Sequence, residues 1–219
     1  MTRTSSQPKI EDKVIVFFDM CSSSTILEDL HSTGNLHAMR NLLIDMKKRL
    51  ILLNEGGRFE PYKFIGDGWV LLFPPDVSAK ELILILEQLS RFYRDALVEH
   101  ITPLLQSQPD VMGLTFGVDK GALIRMVMMD RVEYIGRALN VASRLQSAIK
   151  DRDRKPAYKA LLSKHAFEGL DMADGLRQTW NVTRKLRNIR DGKPCDCVKM
   201  KLYVGAPKKM KPLAATKFS

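Results

Sequence analysis

A strong hairpin signal at Gly66-Asp67-Gly68 constrains the fold of this chain more than any other segment. Two runs rich in apolar and aromatic residues flank it, 59–65 and 69–73, and glycine tolerates the positive φ angles that a tight turn requires. The prolines at 74–75 then stop the second strand. The sequence therefore predicts two antiparallel strands with the carboxylate of Asp67 at the tip between them.

The spacing of apolar residues on either side of this hairpin predicts a βαββαβ order. A β-rich run covers 14–18, helical spacing continues to Asn54 with a break at 32–34, and another helical stripe extends from Ser78 to about residue 105. The remaining predicted elements are strands at 112–118 and 122–127 around a turn at 119–121, a helix over about 137–150, and late strands near 178–186 and 197–204. This order is typical of an α+β domain, a ferredoxin-like split βαβ antiparallel sheet with helices on one face.

The length of 219 residues suits one folded domain, which we assign to residues 12–205. Residues 1–11 are polar and are predicted to be disordered, and residues 206–219 are predicted to form a basic flexible tail. No run approaches the roughly 20 apolar residues that span a bilayer, and the N-terminal residues lack the apolar core of an export signal. We therefore expect a cytoplasmic protein that does not enter a membrane.

The three cysteines, Cys21, Cys195 and Cys197, make no disulfide framework and lack the second ligand pair of a zinc site. Reduced thiols in a reducing compartment are the expectation. The formal net charge of +10 fits solvated basic clusters at 184–190 and 208–217. It also fits attraction of nucleic acid or of a small polyanion such as a nucleoside triphosphate, and charge alone does not separate these explanations.

Two aspartates lie where apolar strands end: Asp19 closes the run from residue 14, and Asp67 follows the run that ends at Ile65. A buried strand normally ends in a neutral turn residue, so paired carboxylates favour hard oxygen ligands for a divalent cation near phosphate. The alternative is that Asp19 caps the helix after it and Asp67 only fills a turn.

Four segments carry a family resemblance: FFDMCSSS at 17–24, YKFIGDGWVLLF at 62–73, FGVDKGALI at 116–124 and EYIGRALNVASRLQS at 133–147. In this order and at these separations they resemble the class III nucleotidyl cyclase catalytic domain, over about residues 13–150. The resemblance implies conversion of a nucleoside triphosphate to a 3′,5′-cyclic nucleotide and pyrophosphate.

The same resemblance implies that Asp19 and Asp67 bind two divalent ions, Mn²⁺ or Mg²⁺, with the main-chain carbonyl of Met20 completing one coordination shell. Two such ions activate the 3′ oxygen and stabilise the leaving oxygens. The backbone amides after Asp19, at the start of a helix, are expected to face the β- and γ-phosphates.

Asn140 and Arg144 are four residues apart, so a helix places them on one face. In the family such a pair orients the ribose and stabilises charge on the α-phosphate, a role that the planar guanidinium of arginine suits. The alternative is a solvated helix face. Arg187 corresponds to a basic residue that contacts the terminal phosphates in relatives, and an ordinary surface arginine is equally consistent with the sequence.

Base choice in the family depends on two positions that correspond here to Lys63 and Glu133. Lysine with an acid is nearer the adenine pattern and argues against GTP, but Glu133 is one methylene longer than the usual aspartate, and Arg137 replaces the usual acidic or amide residue. The chain also resembles stand-alone bacterial pyrimidine cyclases of anti-phage defence (the Pycsar type), whose product triggers a separate effector protein. We therefore expect UTP ahead of CTP, with ATP as the alternative substrate.

The resemblance also implies a homodimer, because family active sites combine the metal aspartates of one subunit with the Asn/Arg helix of the other. Two non-enzymatic interpretations remain. An RNA-binding module shares the basic split βαβ sheet, but acids at the tip of the sheet repel phosphate, so we expect no nucleic acid partner. A catalytically inactive cyclase fold that acts as a binding module is the other, although Asp19, Asp67, Asn140 and Arg144 are all present.

Overall fold

A computed structural model describes residues 9–170, 178–189 and 192–206 of the chain. Its elements in chain order are β1 (Lys9–Met20), α1 (Ser23–Ser32), α2 (Leu36–Leu53), β2 (Glu60–Ile65), β3 (Gly68–Phe73), α3 (Ala79–Ala96), β4 (Leu114–Met128), β5 (Arg131–Ile135), α4 (Arg137–Arg152), β6 (Lys159–Ser163), α5 (Lys164–Gly169), β7 (Thr179–Lys185) and β8 (Pro194–Lys201). A π-helical turn, Leu97–Ile101, and a 3₁₀ turn, Thr102–Leu104, extend α3. The predicted α1–α2 break is therefore confirmed, as is the helical stretch that begins after Ser78.

The strands form one sheet in the order β2-β3-β1-β4-β6-β8-β7, with β5 paired to the outer half of β4. The first four strands of this order are antiparallel and give the ferredoxin-like split βαβ arrangement, so the predicted α+β class is confirmed. The sheet is not antiparallel throughout, however, because β4 and β6 run parallel. The crossover through α4 returns the chain to the same end of the sheet, which requires a parallel neighbour.

Helices cover both faces of the sheet rather than one. Successive side chains of β1 point to opposite faces, and Val14, Val16 and Phe18 pack with α1, α2 and α3 in the larger core cluster. Ile15 belongs to a separate cluster with Ala138 and Ala142 of α4. The split βαβ core thus carries its helices on one face, as expected, and α4 covers part of the opposite face.

The predicted strand pair around 119–121 is wrong, because β4 is continuous through this segment. The 12 residues of β1 pair with β4 from Leu114 to Arg125, and Lys13 lies opposite Gly121. This long partner keeps the chain extended where glycine had indicated a turn. The actual turn is at Met129 and Asp130, which have positive φ, and it leads into β5, a strand that the sequence analysis did not predict.

The strand β1 begins earlier than expected. Residues 9–11, assigned to a disordered segment, pair with Leu123, Ile124 and Arg125 of β4. The rest of that N-terminal segment, 1–8, and the predicted basic tail from residue 207 onward lie outside the described residues. Within the part of the chain that is described, no helix has the length and apolar character needed to cross a membrane.

Helix α4 lies directly on β4 at Gly117. A Cβ atom at this position would be 2.8 Å from the Cβ of Gln146 and would overlap the carbonyl oxygen of Ala142. Because the obstacle is helix backbone, it cannot move aside as a flexible side chain can. Gly117 therefore sets how closely the helix approaches the sheet.

We expect Gly117→Ala to lower the free energy of unfolding by about 2–3 kcal/mol, since overpacking at a rigid contact costs this much. Chemical denaturation of the two proteins measures the difference. Gly121→Ala is the matched control, because its nearest neighbour is the Ala138 side chain at 3.3 Å. It should change stability by less than about 1 kcal/mol. Equal effects of the two substitutions would contradict the close helix–sheet approach.

Candidate active site

The register of the sheet brings Asp19 and Asp67 together. Asp19 lies opposite Gly68 in the β1–β3 ladder, and Ile65 lies opposite Gly68 in the hairpin, which leaves a two-residue turn of Gly66 and Asp67. Gly66 has a φ of 66°, as a turn with glycine at its first position requires. A Cβ at Gly68 would overlap the carbonyl oxygen of Phe18 and lie 3.2 Å from Oδ1 of Asp19. The hairpin with Asp67 at its tip is therefore confirmed, and this tip lies against the end of β1.

Asp19 accepts hydrogen bonds at both carboxylate oxygens. Its Oδ1 accepts from the Met20 amide at 3.0 Å. Its Oδ2 accepts from the Lys150 ammonium at 2.5 Å and from the Gln146 amide at 3.4 Å. The Lys150 ammonium also donates to the main-chain carbonyl of Met20 at 3.0 Å. Lys150 thus bridges the same two groups, the Asp19 carboxylate and the Met20 carbonyl, that were predicted to bind metal.

The surroundings of Asp19 act on its pKa in opposite directions. Burial raises the pKa of this carboxyl, the neighbouring Asp67 carboxyl raises it further, and Lys150 opposes both, with a net increase. The second effect comes first from a hydrogen bond between the two carboxyls, which favours the protonated form, and then from the repulsion of like charges. A site that concentrates negative charge in this way is stabilised by a cation.

An open cleft of about 440 Å³ lies beside the carboxylates. Its lining includes Ser23 and Ser24, from the first turn of α1, as well as Asp19, Asp67 and Lys150. Ser22 precedes α1 in a left-handed conformation and does not cap it, since its hydroxyl donates to the Val111 carbonyl at 2.7 Å instead. The first amides of α1 are therefore available to an anion in the cleft.

The donor set fits a divalent cation of the hard type. The two carboxylates and the Met20 carbonyl are all oxygen ligands, which Mg²⁺ and Mn²⁺ prefer, and the bound Lys150 ammonium is a cation already held there. Among the described residues there is no cluster of three or more His, Cys, Asp or Glu side chains that could hold a metal. A divalent ion at this position would therefore need further ligands, such as phosphate oxygens or water, besides these groups.

The predicted base-reading residues also lie together. Lys63 of β2 donates to Oε2 of Glu133 in β5 at 2.9 Å, and the Tyr62 hydroxyl donates to the same oxygen at 2.5 Å. The hydrogen bond from Tyr62, and then that from Lys63, lowers the pKa of Glu133. Tyr62 itself is fixed, because its oxygen accepts from the Tyr134 amide at 3.0 Å. Glu133 is thus held as an oriented carboxylate beside a lysine.

Asn140 and Arg144 lie on the first turns of α4, and neither side chain forms a hydrogen bond with the residues that the structure describes. Asn140 is exposed and Arg144 is half-buried. Lys150, which contacts Asp19, lies ten residues beyond Asn140 on the same helix, a rise of about 15 Å along the axis. Within one chain, therefore, α4 presents Asn140 away from the carboxylate pair.

Arg187 is not brought to the site within one chain. It is exposed in the turn after β7, the outermost strand of the sheet. The strands β4, β6 and β8 lie between β7 and β1, a lateral distance of about 19 Å at ordinary strand spacing. Its neighbour Arg190 in the basic cluster lies outside the described residues.

Three residues of the site were missed from sequence: Lys150, Gln146 and Tyr62. Lys150 and Gln146 are four residues apart, so they share a face of α4 with one another, and this spacing was the available signal. Cys21 directly follows the last residue of β1, and its thiol is free, as the sequence predicted. Burial raises the pKa of its thiol to about 11, which keeps it protonated.

Comparison with known proteins identifies the fold. No protein-family model matches the sequence, and no curated protein matches it. Among solved structures, the adenylyl cyclase CyaB from P. aeruginosa matches with a TM-score of 0.67 and 16% identity, over 94% of this chain and 100% of that one. The guanylyl cyclase Cya2 matches with a TM-score of 0.66 and 15% identity, over 89% and 94% of the two chains.

A bacterial light-regulated adenylyl cyclase matches with a TM-score of 0.65 and 17% identity, over 91% of this chain. This chain spans about half of that protein, since 54% of the other chain is covered. At such identities the matches establish architecture. The fold is that of class III cyclase catalytic domains.

Proposed function

We propose that this chain is a nucleotidyl cyclase, which converts a nucleoside triphosphate to a 3′,5′-cyclic nucleotide and pyrophosphate. The observation that carries the proposal is the pair of carboxylates, Asp19 and Asp67, which the strand register places side by side. Both line a cleft that is also lined by the first residues of α1. A structural turn aspartate does not need a second carboxylate beside it. The cyclase fold supplies the second support.

In the proposed reaction, the ribose 3′ oxygen bonds to the α-phosphorus, the bond to the bridging oxygen of the β-phosphate breaks, and the 3′ proton is lost to solvent. Asp19, Asp67 and the Met20 carbonyl would hold two divalent ions, which supply charge neutralisation at the reacting oxygens. The first amides of α1 bind the β- and γ-phosphates. Arg144 neutralises charge at the α-phosphate, and Asn140 orients the ribose.

The proposed active unit is a homodimer with two equivalent sites. Its support is the geometry of α4: Asn140 is about 15 Å along the helix from Lys150, the α4 residue with the shorter contact to Asp19. A single chain therefore does not direct both groups at one nucleotide. A two-fold dimer in which α4 of one subunit faces the carboxylates of the other removes this difficulty, and Arg187 is proposed to reach the terminal phosphates in the same way.

We further propose a pyrimidine substrate, UTP ahead of CTP. Lys63 offers a donor and Glu133 an acceptor, so the pair can recognise one edge of any base. The space beside this pair then determines which base binds. The Glu133 side chain is longer than aspartate and is held by Tyr62, so it reduces the space for a purine. The product is proposed to act on a separate effector protein in bacterial anti-phage defence, an extension that rests on sequence resemblance.

ATP is the second candidate substrate. A lysine paired with an acid at 2.9 Å is the observation that favours it, and solved adenylyl cyclases share the fold. This candidate differs from the first only in the base.

Incubation of the purified protein with ATP, GTP, CTP and UTP in separate reactions with Mn²⁺ tests the function. We expect cyclic UMP as the main product, identified by mass spectrometry, with cyclic CMP second. Cyclic AMP as the main product would assign Lys63 and Glu133 to adenine. The absence of any cyclic product from folded, dimeric protein would overturn the cyclase proposal in favour of an inactive binding module.

A further inference from the structure

Lys150 has an unusual position for a lysine in a site built for metal ions. Its ammonium lies 2.5 Å from Oδ2 of Asp19 and 3.0 Å from the carbonyl oxygen of Met20. The lysine side chain is 31% exposed and the aspartate 27% exposed, so the contact is at the wall of the cleft rather than in the core. The side chain reaches there from α4, across the face of the sheet.

A divalent ion held by the same two oxygens would occupy nearly the same point. Mg²⁺ binds oxygen at about 2.0–2.1 Å. An ion bound to both Asp19 and Met20 would therefore lie closer to the present position of the ammonium nitrogen than one van der Waals radius. Both are cations, and their repulsion adds to the overlap. The two cannot be bound together at this position.

We propose that the Lys150 ammonium occupies the metal position, and that a divalent ion binds only by displacing it from Asp19 and Met20. The inference rests on the proposed function, because it concerns the same carboxylates. It adds a residue that sets the affinity of the site for metal. The long lysine side chain has several rotatable bonds, so it can swing from the carboxylate towards phosphate in the adjacent cleft.

Displacement has a direct consequence for affinity. The ion must break a charge-assisted hydrogen bond before it binds, which weakens its apparent affinity. Replacement of the lysine by an uncharged side chain of nearly the same length should therefore tighten metal binding without any new ligand. An ordinary structural ion pair at Asp19 would instead position the carboxylate, and its loss would weaken binding.

Mn²⁺ binding to the full-length protein without nucleotide, followed by the electron paramagnetic resonance signal of free Mn²⁺, tests the inference. We expect Lys150→Met to tighten Mn²⁺ binding by about tenfold or more, on the order of a charged hydrogen bond. Lys150→Leu, which likewise adds no oxygen ligand, should do the same, which guards against a variant that fails to fold. Lys150→Arg, which keeps the charge, should not tighten it.

The matched control is Lys48→Met. Lys48 pairs with Asp45 at 2.9 Å and has a similar exposure, 24% and 26% for the two side chains, but lies on α2 away from the cleft. We expect it to bind Mn²⁺ as the unmodified protein does. Tighter binding in this variant as well would mean that net charge, rather than position, is responsible, and would overturn the inference.

Asp19→Asn separates failure of this inference from failure of the proposed function. If Asp19→Asn weakens Mn²⁺ binding while Lys150→Met leaves it unchanged or weakens it, the metal site stands and the displacement inference is overturned. If Asp19→Asn has no effect, the ion does not bind at Asp19 and both proposals fail.

Discussion

Asp19→Ala and Asp67→Ala are each expected to reduce the turnover of nucleotide by at least about a thousandfold, to the limit of detection. The reason is that each carboxylate is a proposed ligand of the divalent ions, and the described residues offer no cluster of acids that could replace it. Loss of preorganised charge at a reacting phosphate removes most of the rate enhancement. The measurement is the initial rate of cyclic nucleotide and pyrophosphate formation with saturating Mn²⁺.

Neither substitution should unfold the protein. Lys150 loses its carboxylate partner in Asp19→Ala, but it is 31% exposed and water can solvate it. Thermal denaturation should therefore show a small change in Tm. Asp12→Ala is the control, since Asp12 is an exposed aspartate on the same strand. Normal turnover by either Asp19→Ala or Asp67→Ala would contradict the assignment of both carboxylates to metal.

Arg144→Ala is expected to lower kcat by a factor of about 100 to 1,000, the usual cost of removing one group that stabilises developing charge. KM should change less, because the proposed contact forms mainly at the α-phosphate in the transition state. Among the described residues the Arg144 guanidinium has no hydrogen-bond or ion-pair partner, so we expect the variant to fold. Steady-state kinetics with the preferred nucleotide provide both constants.

A mixture of two variants with little activity of their own tests the proposed dimer. If subunits of Asp67→Ala and Arg144→Ala exchange freely in equal amounts, half of the dimers are mixed, and each of these contains one site with neither substitution. About one quarter of the normal activity should then return. No recovery, in a sample shown to contain mixed dimers, would place both residues in a site formed by one chain.

Local patterns in the sequence were sufficient for elements with a strong boundary signal. The hairpin at Gly66 and Asp67 and the end of α2 before Asn54 each coincide with residues that break a regular structure. The continuous β4 was not predictable in this way. Gly121 indicates a turn locally, but the pairing of β4 with the full length of β1 holds the strand straight, which is a long-range effect.

The same distinction between local signals and long-range effects applies to the residues of the candidate site. Asp19 and Asp67 were predicted because each ends an apolar run, and Lys63 with Glu133 because a resemblance aligned them. Lys150 carried no such signal, since a lysine near the end of a helix is usually solvated or favourable to the helix dipole. Lys150 contacts Asp19 because α4 lies close against β4 at Gly117. The separation of this helix from the sheet cannot be predicted from Lys150 or Asp19 alone.

The tight contact at Gly68 has a consequence for the genetics of such a chain. Gly68 bears no functional group, yet any side chain there would collide with the backbone of Phe18 and press on the carboxylate of Asp19. A single nucleotide change in its codon would then separate the two aspartates while leaving both encoded. Selection would act on Asp67 and Gly68 as one unit, and loss of the glycine would resemble loss of an acid.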